Sequence, residues 1–142
     1  MKTVPVVLRW LEKFALAVRS RDYAAGQELF ADNVFSFGTF STQLDDLDTL
    51  VKNQWKPTWS VTRDFHFHTD AMRCEIVEDI AWVAVPWQSQ GQGPEGKWYD
   101  RQGRATLILR WYGEGCKAVH SHFSLQPEPS VYLVEPVTGV AE

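Results

Sequence analysis

All four histidines of this chain stand in two His-x-His pairs, His66/His68 and His120/His122. In a strand, a spacing of two puts both rings on one face. That is how a sheet offers two nitrogens to zinc or iron, and Asp64 and Asp70 share the face of His66 and His68. The second pair lies in the stretch Arg104 to Leu125, a long hairpin around Gly113-Glu-Gly115 with polar and apolar residues alternating on both arms. Ala105, Leu107, Leu109 and Trp111 share one side of the first arm, and Val119, Ser121, Phe123 and Leu125 one side of the second. Arg104, Thr106, Arg110, His120, His122 and Ser124 lie opposite. A histidine titrates near pH 6.5 and beside a guanidinium could move a proton on an anionic ligand, which makes His122 and Arg101 the catalytic candidates. The same mixture of cations and imidazoles suits a contact between subunits, so Arg104, Thr106, Arg110 and His120 are candidate interface residues.

Aromatic residues are the second source of chemistry. Seven tryptophans and eight phenylalanines in 142 residues exceed what a core of this size uses, and surplus aromatics line pockets and interfaces. Trp10, Phe14, Phe37, Trp55, Trp59, Phe67, Trp87 and Tyr99 are the candidate ligand-binding set, Phe65 belonging with them as core. Asp100 and Arg101 follow the turn-rich stretch Gln90 to Gly96 and read as a solvated pair. In a ligand-binding protein Tyr99, Arg101 or His122 would meet the ligand's polar group.

The elements that must position these residues change character along the chain. Pro5 followed by Val7, Trp10, Leu11, Phe14, Ala15 and Val18 at helical spacing describes an amphipathic helix from about Val4 to Ser20. Asp22 suits the N-cap of a second helix through Phe30, and Val34 to Phe37 suits a short strand ended by Gly38. Leu44, Leu47, Leu50, Val51, Gln54 and Trp55 mark a third helix, capped by Asp45 and stopped by Pro57. Beyond it the period is two: extended segments run from Trp59 to Ala71, Cys74 to Gln90 with a break at Glu78-Asp79, Lys97 to Tyr112, and Lys117 to Gln126. Helices first and a meander of strands afterwards give an α+β layout. The chain reads as one domain, residues 1–142, with a core of about 4–126 and an arm from Pro127.

Composition narrows the partners. A net charge of −4 and the lack of any Lys/Arg run exclude a nucleic-acid or anionic-membrane surface, which needs clustered cations. No apolar run approaches the roughly 20 residues of a membrane span, and the N-terminus carries no secretory pattern, so a cytoplasmic protein is expected. Cys74 and Cys116 lack metal or redox spacing and read as reduced thiols.

The element order, together with Leu29-Phe-Ala-Asp-Asn-Val-Phe-Ser-Phe-Gly38, Ala81-Trp-Val-Ala84, Gly103-Arg-Ala-Thr-Leu-Ile-Leu-Arg110 and His120-Ser-His-Phe-Ser124, resembles the SnoaL-like branch of the nuclear transport factor two-like superfamily. The resemblance spans roughly Trp10 to Leu125. It implies a cone-shaped, cystatin-like α+β fold, three N-terminal helices packed on a curved antiparallel sheet, a cavity between helices and sheet, and a homodimer through the other sheet face. In that sheet two strands separate the His66 strand from the His120 strand, about 14 Å at 4.8 Å per strand, so one metal cannot bridge both pairs and neither a metal nor a cofactor is expected. The carboxylate base of steroid isomerases would stand at the end of the first strand, where this chain has Gly38. Two functions remain open: a small hydrophobic or planar ligand is bound, or undergoes cofactor-free proton transfer of cyclase, dehydratase or isomerase type; alternatively the chain is a non-catalytic oligomerisation module like the association domain of calcium/calmodulin-dependent kinase, which carries a similar His-x-His-x-Ser pattern.

Overall fold

The computed structural model describes residues 1–127; the expected arm lies outside them, apart from Pro127. Helix α1 covers Val4–Ser20 and turns Val7, Trp10, Leu11, Phe14, Ala15, Ala17 and Val18 to the core. Its C-cap is Arg21, which takes a left-handed φ of 53° and donates from Nε to the Trp59 carbonyl at 2.9 Å and from Nη2 to that of Thr62 at 3.2 Å. Arg21 thus ends one helix and tethers the end of another. The short α2, Tyr23–Gln27, is capped by Asp22, whose carboxylate accepts from the Ala25 amide at 3.1 Å.

Strand β1 spans Phe30–Phe37, four residues longer at its start than the period suggests, because a register irregularity between Phe30 and Phe35 interrupts the alternation. The third helical unit also differs from expectation. It runs as α3 (Leu47–Leu50), a π-helical turn (Val51–Trp55) and α4 (Lys56–Trp59), so Pro57 lies inside it rather than stopping it. Proline cannot donate to the carbonyl four residues back. That carbonyl, Asn53, accepts instead from the Ser41 hydroxyl at 3.2 Å. The N-cap is Asp46, not Asp45: the Asp46 carboxylate accepts from the Thr49 amide at 2.9 Å, and this bonding lowers its pKa.

The remaining strands are β2 (Thr62–Phe67), β3 (Arg73–Val77), β4 (Ile80–Gln92), β5 (Trp98–Tyr112) and β6 (Gly115–Leu125). They form one sheet of order β1-β6-β5-β4-β2, with β3 also pairing with β4. Two strands therefore separate β2 from β6, as the resemblance implies. All pairings are antiparallel except that of β1, which lies parallel to β6 at the edge. Ser36 and Ser121 join these two strands through a fully buried hydroxyl pair at 2.7 Å. A bulge at Val119 shifts the β5–β6 register between Leu109 and Ile108, so Ala118 rather than Val119 enters the core with Ser121 and Phe123.

One face of the sheet packs on the helices, Val83, Val85, Trp87, Ala105, Leu107 and Leu109 being buried there. Phe14 is the hub of this interface, its ring 5.3–6.4 Å from those of Phe30, Trp55, Trp59, Phe65, Phe67 and Phe123. The other face bears Trp82, Ile108, His120 and Phe35, paired strand to strand in one row.

Candidate functional site

Between the helices and the inner face of the sheet lies a cavity of about 60 Å³. An apolar cavity that takes up benzene measures about 150 Å³, so this space excludes a polycyclic molecule and admits a single ring only where its walls give or the ring reaches into its mouth. Its walls are aromatic: Phe14 from α1, Trp55 and Trp59 from the third helical unit, Phe65 from β2, Trp87 from β4 and Phe123 from β6. Trp55 and Trp59 stack at 4.6 Å, and Tyr23 extends the stack on the far side of Trp59 at 5.1 Å. Trp59 follows Trp55 by four residues through the α-helical turn Lys56–Trp59, a spacing that puts both indoles on one side of the helix.

Polar groups enter from two sides. From the π turn, Gln54 lies almost fully buried against the segment after β1. Its Nε2 donates to the hydroxyls of Thr39 at 3.0 Å and Thr58 at 3.3 Å, while its Oε1 accepts from the Phe40 amide at 3.2 Å. A side chain at position 38 would collide with Gln54, which is why glycine ends β1.

From the sheet come Trp87, Ser89 and Arg101. Ser89 and Arg101 face each other across β4 and β5, and Trp87 follows on the same face two residues along. Arg101 is only 7 % and Ser89 only 1 % exposed. Among the described residues no carboxylate pairs with Arg101, and the buried atoms Arg101 Nη2, Ser89 Oγ and Trp87 Nε1 have no hydrogen-bond partner. The guanidinium carbon lies 5.7 Å from the centre of the Trp87 ring and 5.5 Å from that of Phe40, within cation–π range of both. Burial draws its pKa below the ordinary arginine value, opposed by Tyr99. It nevertheless stays a cation, because arginine does not deprotonate in proteins. Two glycines make the room: a Cβ on Gly91 would stand 2.7 Å from Arg101 Cδ, and one on Gly103 would strike the Trp87 indole.

Of the residues singled out from sequence, Phe14, Phe37, Trp55, Trp59, Trp87 and Arg101 line this cavity. Phe37 touches the cavity at the end of β1, but its ring packs on the outer face, edge-on to those of Phe35 at 5.2 Å and His122 at 5.2 Å. Trp10 and Phe67 are buried core residues outside the lining, and Trp10 Nε1 is already used, donating to the Leu29 carbonyl at 2.9 Å. Tyr99 is half exposed and also outside it. His122 lies on the opposite face, lining a shallow groove with Arg104, Thr106 and Ser124, so it does not meet a ligand in the cavity. The solvated Asp100–Arg101 pair does not form: Asp100 turns outward and accepts from Gln90 Nε2 at 3.1 Å, whereas Arg101 turns in.

On the outer face Arg104 Nε donates to Ser124 Oγ at 3.2 Å, and Arg110 approaches Asp79 at 3.8 Å. His120 Nδ1 lies 2.6 Å from the Phe35 carbonyl, which can only accept, so that nitrogen carries the proton. His66 and His68 sit at 5.1 Å on the far edge, and a left-handed φ of 58° at Asp64 breaks the alternation that would align that carboxylate with them. Among the described residues no three His, Cys, Asp or Glu side chains gather as a metal site. Burial raises the Cys74 pKa and pushes the Cys116 thiol up to about 11, so neither is a ready nucleophile at neutral pH. No described helix is long and apolar enough to cross a membrane.

Ser89, Gln54, Thr39, Thr58 and Thr62 are the polar lining residues that sequence reasoning missed. Strict alternation through Trp87-Gln-Ser-Gln-Gly91 points Ser89 inward with Trp87, and the β4–β5 register then sets Arg101 opposite it. The π turn has no comparable signature.

Three solved structures illustrate the fold. A putative calcium/calmodulin-dependent protein kinase II association domain from Xanthomonas campestris superposes with a TM-score of 0.74 at 15 % identity, over 86 % of either chain. A nuclear transport factor 2-like superfamily protein from Salmonella enterica gives 0.75 at 13 % identity, over 91 % of this chain and 94 % of that one. A putative dehydratase of the NTF2-like family from Streptomyces avermitilis gives 0.74 at 17 % identity, over 88 % and 97 %. At such identities the likeness concerns the fold alone. No curated protein sequence matches the chain. The family model of the SnoaL-like domain matches residues 7–128, a span that contains every lining residue of the cavity and all the elements except the first three residues of α1. With helices closing a cavity on a curved sheet throughout that span, the chain belongs to the SnoaL-like domain family.

Proposed function

We propose that the chain binds a small, planar, single-ring molecule in the cavity and acts by holding it. The observation that carries this reading is the set of unpartnered polar atoms, on Trp87, Ser89 and Arg101, in the lining of an otherwise aromatic space. A protein that only needed a core there would leave them apolar, because buried polar groups without partners each cost about 1–3 kcal/mol. Binding is favoured over proton transfer. Among the described residues the lining holds no carboxylate, imidazole or thiol, and Gly38 stands at the end of β1 where a steroid isomerase would place its base. Neighbours named as a putative dehydratase and a ketosteroid isomerase-like protein share the fold without lending this lining an acid or a base.

The test is an NMR titration of the indole N–H signals with a set of single-ring aromatic fragments. Signals of Trp55, Trp59 and Trp87 should shift together while that of the outer-face Trp82 stays fixed. If no fragment moves the cavity signals, the reading is wrong.

A second reading concerns the outer sheet face and is compatible with the first. The row Trp82, Ile108, His120 and Phe35 presents two aromatics that are each 39 % exposed, beside Arg104, Thr106 and Arg110. Such a row, apolar at its centre and charged at its margin, supports self-association into a homodimer.

A further inference from the structure

We infer that the ligand carries one carboxylate, and that Arg101, Ser89 and Trp87 together form its docking clamp. This inference rests on the cavity reading above and specifies the ligand class. The residues supply three kinds of donor: a guanidinium N–H, a hydroxyl and an indole N–H, each on a buried atom with no partner among the described residues. All three side chains are more than nine-tenths buried, and Ser89 and Arg101 face each other across β4 and β5.

The charge and the count select the anion. A single buried cation without a counter-ion is a costly arrangement that a ligand of charge −1 completes. A planar carboxylate accepts from a guanidinium in the fork geometry and has lone pairs left for a hydroxyl and an indole. A phosphate dianion would bring a second negative charge, for which the lining has no second cation. Neutral amides and alcohols would leave the guanidinium uncompensated. The rest of the ligand must be flat, because Trp55, Trp59 and Phe14 bound the remaining space.

The surrounding sequence serves this clamp. Gly91 leaves space for the Arg101 stem, Gly103 for the Trp87 indole, and Phe40 covers the guanidinium from the segment after β1. Binding would therefore convert the unsatisfied donors into charge-assisted bonds in a place from which water is largely excluded.

The experiment compares benzoate with benzamide, two single rings of nearly equal shape, by calorimetric titration of the wild-type protein, Arg101→Met and Ser89→Ala. Circular dichroism checks that each variant is folded. Wild type should bind benzoate at least 10-fold more tightly than benzamide. Arg101→Met should abolish that preference, and Ser89→Ala should reduce it about 3- to 10-fold, benzoate losing more affinity than benzamide in both. Equal binding of the two probes to wild type would overturn the carboxylate clamp and leave the cavity reading intact. A preference for benzoate that survives Arg101→Met would place the anion elsewhere and overturn the clamp as well. Binding of neither probe would overturn both readings.

Discussion

Arg101 sets the energetic character of the molecule at the scale of single residues. An unpaired guanidinium in an aromatic site costs stability, and replacement of buried ionic groups by apolar side chains of similar volume often stabilises by about 1–4 kcal/mol. Arg101→Met should accordingly raise the melting temperature of the unliganded protein, by about 3–7 °C for a gain of about 1–2 kcal/mol at this chain length. A lower melting temperature would mean that Arg101 has a structural partner. The buried serine pair behaves in the opposite way. Ser36→Ala should cost about 1–3 kcal/mol in denaturant unfolding, because it leaves the Ser121 hydroxyl unpaired, whereas adding Ser121→Ala should recover part of the loss. Independent, additive losses would show that the two hydroxyls do not depend on each other. Arg101 also marks where sequence legibility ends. Its place beside Asp100 and a turn-rich stretch suggests solvent, and only the exact pairing of Ser89 with Arg101, fixed by the hairpin, turns the guanidinium inward. The aromatic wall is easier to read: Phe14 and Trp55 stand on apolar stripes at helical spacing, and the alternation of β4 turns Trp87 to the buried face.

Among the elements, the segment from Leu47 to Trp59 does the most to shape the site. It stacks Trp55 on Trp59 and carries Gln54 against the segment after β1, where its amide group bonds to Thr39 and Phe40 as well as to Thr58 of α4. Gln54→Ala should free that segment while leaving the sheet intact. Hydrogen exchange is expected to quicken by about 10-fold or more over residues 38–44, with little change in β4 and β5, since local openings draw on local contacts. Unchanged exchange there would show that Gln54 is not the latch. Helix α1 could be read from sequence to the residue, because its stripe is long and strongly periodic and Pro5 marks its start. The third helix misled, since Pro57 signals a stop unless another donor satisfies Asn53, and that donor, Ser41, is 12 residues away in sequence. The bulge at Val119 and the early start of β1 are hidden for a related reason: a register irregularity, one residue at Val119 and three in β1, changes which side chains point inward without changing composition.

Across the whole molecule, the sheet separates two surfaces that the alternating pattern of β5 and β6 already distinguishes in the sequence. The inner one holds the cavity; the outer one carries the row from Trp82 to Phe35. If the outer face joins two copies, His120→Glu combined with Arg104→Glu should convert a dimer to a monomer in light scattering, with the cavity's indole signals unchanged. A dimer that survives both charge reversals would remove the outer face as the interface. The strand order that keeps the His66 pair and the His120 pair two strands apart also explains why a chain with two His-x-His pairs does not gather them. The central claim, that the aromatic cavity with its buried guanidinium is a ligand site, is tested most directly by a crystal structure of the protein grown with saturating benzoate. The account predicts a flat ring between the Trp55 and Trp87 walls with its carboxylate on Arg101; an empty or water-filled cavity, with benzoate elsewhere or absent, would contradict it.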